Sequence, residues 1–320
     1  MAVYTHLSPT ELNTFLDHYD IGSIMSFKSI EEGVENSNFL LETEQGRFIL
    51  TLYEKRMDPT DLPFFIGLLD HLAARGIRCP LPVRGRDGLA FRITTGKLAS
   101  IVTFLEGICI KSPKLFHCRE LGRNLAALHL AGRDYGDRRE NSLGHKGWRP
   151  LFEQCRARAD EVEQGLTDLI QDELDFLDIE WPDDLSQGLI HADLFPDNVF
   201  FCRDRISGLI DFYFACHDAL VYDLAICINA WCFETDGSFN ALKAKAMLEG
   251  YNRVRPLEDK EKIYLPILCR GAALRFLLTR LHDWLYPVDG ALVRPKDPIS
   301  YAHRLQFHQK AGSHMSYRLG

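Results

Sequence analysis

The sequence predicts an α+β protein in which a small, strand-rich N-terminal part precedes a larger, mostly helical remainder. Three observations carry this. Apolar and polar residues alternate in short runs separated by turn formers from Ile24 to Leu105. From Lys114 onward, apolar residues recur at helical spacing. A single polar loop with strand-like flanks interrupts the helical part: Gly188-Leu-Ile-His-Ala-Asp-Leu-Phe-Pro-Asp-Asn-Val-Phe-Phe201, continued by Gly208-Leu-Ile-Asp-Phe-Tyr-Phe214.

The 320 residues are 46% hydrophobic, enough for a sizeable core and about two domains, which the change of character divides into 1–105 and 106–320. A charged content of 26% excludes wholesale disorder. The formal net charge of −8 argues against a nucleic-acid partner, because phosphate backbones demand a basic face. Nine cysteines occur without C-x-x-C pairs, several in apolar runs (Cys227, Cys232, Cys269). They read as buried free thiols in a reducing compartment rather than a zinc site, and suggest a cytoplasmic protein. Met1 to His6 shows no basic segment followed by an apolar core, and no apolar run has membrane-spanning length, so neither a signal peptide nor a membrane partner is expected.

Taken in order, Ser8-Pro-Thr-Glu11 starts a helix that runs to about Tyr19: a capping serine, a proline in the first turn and a glutamate three residues on. Strands follow at Ile24–Ile30, Asn38–Thr43 and Arg47–Tyr53, with Gly46 in the second turn. Asp61–Arg75 carries an apolar stripe at Phe65, Leu68, Leu69 and Leu72 and ends at Gly76, a helix. Two more strands, Ala90–Ile93 and Leu98–Leu105, turn at Thr95-Gly96, making five strands in all. Glu120–His129 buries Leu121, Leu125 and Leu128. A polar loop spans Gly132 to Trp148, and helices are expected at 151–165, 166–177, 220–233, 239–252, 259–284 and from Asp297 to about Gln309.

The central loop carries the chemistry. Val199-Phe200-Phe201 and Ile206 to Ile210 read as a strand pair turning at Cys202-Arg-Asp-Arg205. Asn198 then precedes one strand and Asp211 ends the next, so an amide oxygen and a carboxylate can reach one point. Phosphoryl transfer to a hydroxyl needs that arrangement: hard oxygen ligands for a divalent cation, and a positioned carboxylate to take the hydroxyl proton. The order His191-Ala-Asp193-Leu-Phe-Pro-Asp-Asn198, then Asp211-Phe212, matches the catalytic-loop and metal-binding signatures of kinases. His191 and Asp193 are the catalytic candidates, and Asn198 and Asp211 the Mg²⁺ ligands. Asp223 lies in an apolar helix, where a carboxylate needs partners, and is expected to brace the loop through hydrogen bonds.

The loop resembles that of the aminoglycoside phosphotransferase and choline kinase group of small-molecule kinases, where H-G-D-x-x-x-x-N is typical; Ala192 replaces the glycine. Asp218-Ala-Leu-Val-Tyr-Asp223-Leu-Ala extends the likeness, with Ala219 where proline is usual. The resemblance implies a two-lobed, protein-kinase-like fold with ATP between the lobes. The turn 31–38 would then cover the nucleotide through Gly33, Asn36, Ser37 and Asn38, and Phe104-Leu-Glu106-Gly107 would be the hinge facing the adenine. Thr51 stands where kinases carry a phosphate-pairing lysine, with Lys55 and Arg56 just beyond.

Cys269 to Trp284 sets Arg270, Arg275 and Arg280 in an apolar helix. A buried guanidinium needs a carboxylate or phosphate opposite it. Side chains five apart differ by about 140°, so at most two can face one cleft, and the rest must pair with acids of the same lobe. Phe-Ile-Leu-Thr-Leu-Tyr-Glu54, Asp-Leu-Pro-Phe-Phe65, Ile-Asp-Phe-Tyr-Phe-Ala215 and Ala-Ala-Leu-Arg-Phe-Leu-Leu-Thr-Arg280 together resemble bacterial homoserine kinases of this kinase-like fold. That resemblance implies ATP- and Mg²⁺-dependent phosphorylation of L-homoserine in threonine biosynthesis, with Arg275 and Arg280 as the substrate-binding residues. The alternatives are a relative acting on choline, methylthioribose or an aminoglycoside, and an inactive nucleotide-binding interaction module.

Overall fold

The computed structural model describes residues 7–30, 36–54, 59–287 and 295–311. One compact unit runs to Glu106; the other begins at Gly107.

In the first unit Ser8 and Glu11 exchange capping hydrogen bonds as the sequence predicts, and α1 (Pro9–Leu16) ends three residues before Tyr19. β1 (Ile24–Ile30), β2 (Ser37–Thr43) and β3 (Gly46–Leu52) form an antiparallel meander. α2 (Leu62–Ala74) buries its whole predicted stripe, and Gly76 ends it at φ 84°, a left-handed conformation that glycine enters without a Cβ clash. β4 (Pro82–Val83), β5 (Phe91–Thr94) and β6 (Lys97–Thr103) complete a six-stranded sheet of order β1-β2-β3-β6-β4, with β5 also pairing β6. The sequence gives five strands because β4 is only two residues long and starts on a proline, too short for alternation to show. Phe39, Leu41, Leu50, Leu52, Ala99 and Ile101 of one sheet face pack with Leu12 and Phe15 of α1 as the core.

The second unit is mostly helical. β7 (Ile108–Cys109) leads into α3 (Leu115–Ala131), whose Leu121, Leu125 and Leu128 are fully buried. α4 (His145–Cys155) starts six residues earlier than expected, because Asn141 turns the chain and the Trp148 indole donates to the Leu143 carbonyl. The chain then breaks into a 3-10 turn and the short α5 (Ala159–Val162) before α6 (Leu166–Glu180), so the helix expected over 151–165 is not continuous. β8 (Gln187–Ile190) enters the central loop. β9 (Val199–Cys202) and β10 (Arg205–Leu209) form the predicted hairpin, and β7 adds to β9. β11 (Cys216–Ala219) pairs with β8, a strand the sequence does not announce. α7 (Leu220–Trp231), α8 (Ala241–Asn252), α9 (Asp259–Leu285) and α10 (Ile299–Ala311) follow.

Where α3 crosses α8, two glycines let the backbones touch. A Cβ at Gly122 would sit 2.0 Å from the Met247 carbonyl oxygen, and one at Gly250 would sit 2.1 Å from that of Arg119. Backbone cannot yield as a side-chain tip does, so Gly122→Ala should lower the unfolding free energy by about 1–3 kcal/mol. Gly136→Ala, with nothing within 4 Å, should leave it unchanged. Chemical denaturation of both variants measures the difference.

Candidate active site

The loop after β8 is held in a strained shape by one buried carboxylate. Ala192 has φ 63°, the left-handed region that costs an L-residue about 1–2 kcal/mol. This explains why glycine suits the position. Asp223, fully buried on α7, accepts the His191 amide at 2.7 Å and the Ala192 amide at 2.9 Å. Its third donor is His129 Nε2 of α3 at 3.1 Å, and His129 Nδ1 pairs with the Tyr251 hydroxyl at 2.8 Å. Arg255 donates to Tyr251 and forks onto Glu261, so the brace reaches the first turn of α9. Burial alone would raise the Asp223 pKa. The bond and charge of His129, then His191, outweigh it and hold the carboxyl below its usual range. Arg275 donates to the Ala192 carbonyl from the other side.

His191 is fully buried, with both ring nitrogens committed to backbone. Nδ1 accepts the Asp193 amide at 3.3 Å and Nε2 donates to the Ile210 carbonyl at 3.0 Å. Burial pushes its pKa down, in keeping with a neutral ring. It therefore ties the residue before Asp211 to the loop and offers no nitrogen to a reactant. Asn198 Nδ2 donates to the Asp193 carbonyl at 2.8 Å and to its Oδ2 at 3.1 Å, leaving the amide oxygen outward. Asp211 takes φ 65° at the end of the hairpin. Burial and then Asp197 raise it to about 6, while burial and then Asp211 push Asp193 well above the carboxylate range. Asp193, whose charge Asp211 disfavours, stands with Asp211 and an amide oxygen that accepts no hydrogen bond among the described residues, a set that suits a hard divalent cation. Among the described residues no three His, Cys, Asp or Glu side chains form a group that could hold a metal ion by themselves.

The three arginines of α9 separate as their spacing requires. Arg270 forks onto the buried Glu173 of α6 at 2.7 and 2.6 Å. Arg275 is buried, and its Nε has no hydrogen-bond partner. Arg280 reaches the Asp297 carbonyl at 3.2 Å and the Ser300 hydroxyl at 3.1 Å and lies 4.4 Å from the Tyr301 ring centroid. Burial lowers its pKa and the Arg304 charge adds to this, against the opposing effects of Tyr301, Asp297 and Asp193. Neither Arg275 nor Arg280 meets a carboxylate among the described residues. Sequence reasoning passed over Lys296, which pairs with Asp197 at 3.4 Å, and Tyr301 and Arg304 of α10. A tyrosine and an arginine three apart in a helix were the only local signal.

In the first unit, Gly33, Lys55 and Arg56 lie outside the described residues. Asn36 Oδ1 accepts the Glu54 amide at 3.2 Å, and the Ser37 hydroxyl donates to Glu54 Oε1 at 2.7 Å. Asn38 Oδ1 accepts from Thr51 at 2.8 Å, so the residue at the lysine position is paired across the sheet. Glu106 forms an ion pair with Arg47, whose guanidinium stacks on Phe104 at 4.4 Å. The strand register puts Ser37 beside Leu52 and Thr103 beside Phe48. Asn36–Asn38 and Phe104–Glu106 thus mark opposite ends of β3.

Residues 26–257 match the model of the phosphotransferase enzyme family. The chain belongs to this family. It is 56% identical to a homoserine kinase of Rhizobium etli and 59% identical to one of Rhodospirillum rubrum, each over 319 residues, covering 100% of this chain and 99% of the relative. Among solved structures, the amicoumacin kinase hAmiN in complex with AMP-PNP, Ca²⁺ and Ami superposes with a TM-score of 0.71 at 15% identity, over 96% of this chain and 95% of that one. That likeness shows the fold, the protein-kinase-like one expected from the sequence. This family member is an ATP-dependent phosphotransferase acting on an alcohol.

The Asp223 brace has a pH signature. Its folded pKa is lowered from the ~3.9 of an unfolded aspartate, so the unfolded chain protonates first. The stabilisation is complete above about pH 4 and is lost as pH falls through the lowered folded value. Asp223→Asn should lose about 3 kcal/mol at neutral pH, since an amide cannot accept from all three donors. It should also flatten the acid limb below about pH 4. Unfolding curves from pH 2 to 7 check both.

Proposed function

We propose that this enzyme transfers the γ-phosphoryl group of ATP to the hydroxyl of L-homoserine, in threonine biosynthesis. The observation that carries the reading is a carboxylate and two cations in one unit: Asp193, with Arg275 and Arg280 unmatched by any acid among the described residues. A zwitterionic amino alcohol supplies what they lack, an anionic carboxylate beside a hydroxyl. The naming of the full-length relatives as homoserine kinases supports it. A cationic acceptor such as choline or an aminoglycoside would meet uncompensated arginines. An inactive module would have no use for Asp193, Asn198 and Asp211 together. No described helix is long and apolar enough to cross a membrane.

Asp193 orients the acceptor hydroxyl and takes its proton at Oδ1, the oxygen that Asn198 leaves open. Asn198 Oδ1 and the Asp211 carboxylate are the groups that would hold Mg²⁺ with the nucleotide phosphates. The ion supplies charge neutralisation for the phosphoryl group in flight. His191, the other catalytic candidate, acts as a positioning residue through Ile210 and Asp193.

Asp193→Asn should reduce kcat by ~10²–10⁴ with the KM for ATP nearly kept. Turnover close to wild type would remove the base from the scheme. Asp211→Ala should abolish activity and weaken Mg·ATP far more than adenosine; a Mg²⁺ titration identical to wild type would exclude its metal role. For the acceptor, an ADP-release assay over L-homoserine, choline, methylthioribose and an aminoglycoside should give homoserine the highest kcat/KM. Arg275→Lys or Arg280→Lys should raise the homoserine KM while leaving that for ATP, because lysine cannot make a fork.

A further inference from the structure

Two arginines of the second unit carry their own acids: Arg255 forks onto Glu261 and Arg270 onto Glu173. The environment of Tyr301 breaks this pattern. Tyr301 is fully buried, and its hydroxyl has no hydrogen-bond partner among the described residues. The guanidinium carbons of Arg280 and Arg304 each lie 4.4 Å from its ring centroid. Arg304 donates to the Asn229 carbonyl at 2.6 Å, and Arg280 to a carbonyl and a hydroxyl; neither faces a carboxylate among the described residues. Two like charges share one aromatic ring with an orphan phenol between them. Such an arrangement is unfavourable until an anion arrives, because each cation disfavours the other and the phenol has lost its water.

We infer that Arg304 and Tyr301 of α10, with Arg280 of α9, form the specificity site for the carboxylate of the acceptor. This rests on the amino-acid acceptor proposed above and changes where its carboxylate is read. The position suits a short acceptor. The Tyr301 hydroxyl feels the charges of Arg304, Arg280, Asp193 and Arg275, in that order after burial, so the two arginines and the base share one neighbourhood. Phe276 packs on Tyr301 at 5.4 Å and on Phe195 at 4.8 Å, joining α10 to the loop that carries Asp193. Arg275 has a second task besides. One end of its guanidinium is bound to the Ala192 carbonyl, so it positions the left-handed turn before Asp193. Among the described residues the Nε and Nη2 of Arg280 and Arg304 meet no acceptor, and Tyr301 can donate a third bond. A carboxylate, with two oxygens and several lone pairs, can satisfy all three.

The test compares L-homoserine with 3-aminopropan-1-ol, which keeps the amine, chain and hydroxyl and lacks the carboxylate. Wild type should prefer homoserine strongly. Arg304→Gln should raise the homoserine KM by about 10–100-fold, the loss expected for a charge-assisted bond. The preference over 3-aminopropan-1-ol should collapse toward unity. Tyr301→Phe should raise the homoserine KM by about 3–10-fold, the loss of one neutral donor. Arg304→Lys, which keeps the charge, should fall between wild type and the glutamine variant. The KM for ATP and the melting midpoint report whether the lost bond to Asn229 has disturbed the fold. If wild type turns over homoserine and neither the Arg304 nor the Tyr301 variants change its KM, this site is overturned and the homoserine reading stands. It is also overturned if both acceptors lose activity in parallel, since that marks a structural role. If wild type does not phosphorylate homoserine, the reading beneath it fails, and the carboxylate site with it.

Discussion

Asp223 holds a negative charge at a point closed to water, and the catalytic loop hangs from it. Its two oxygens fix consecutive backbone amides, His191 and Ala192, in a turn an alanine would not choose. An unbraced left-handed alanine would relax, and Asp193, the next residue, would swing with it. The charge is tolerable because His129 supplies a third bond and is itself held by Tyr251, which Arg255 and Glu261 hold in turn. A buried network of this kind is stabilising only when every member is satisfied. It spans α7, α3, α8 and α9, so the position of one reactive carboxylate depends on the packing of four helices.

The remaining charges form a second, deliberately incomplete balance. Burial raises both Asp193 and Asp211, and the Asp211 charge further disfavours ionisation of Asp193. On the side proposed for the acceptor the excess is positive: among the described residues Arg275, Arg280 and Arg304 pair with no acid, whereas Arg255 and Arg270 do. A protein interior normally matches its charges, since an unpaired buried ion is costly. On the proposed reading, a metal-bound nucleotide and an anionic acceptor would complete this balance. On the proposed function, affinity and the correct placement of the hydroxyl then arise from the same interactions.

Much of this was legible in the chain because it is local. The Ser8–Glu11 capping box, the stripe of α2, and the hairpin that sets Asn198 and Asp211 at its two ends all follow from spacings of a few residues. The need of Asp223 for partners could be argued from its apolar neighbours, and the geometric limit on α9 held, with Arg270 turned away to Glu173. Within the order H-x-D-L-x-x-x-N, however, His191 looks like a reactive group, and only its burial shows both nitrogens spent on backbone.

The sequence by itself determined the α+β class, most of the longer strands and helices, and the loop that bears Asp193, Asn198 and Asp211, because hydrophobic period and turn chemistry act between near neighbours. Tertiary structure decided which charges are neutralised. Arg270 finds Glu173 at a separation of 97 residues, and His191 meets a carboxylate 32 residues on. Thr51 is committed to Asn38 across the sheet, and Arg280 and Arg304 come to one ring from different helices. Partner choice at such distances is set by how helices and strands pack, and no local pattern encodes it. For that reason the motif of the loop could be read early, while the residues proposed for its acceptor side come together only where α9 and α10 pack.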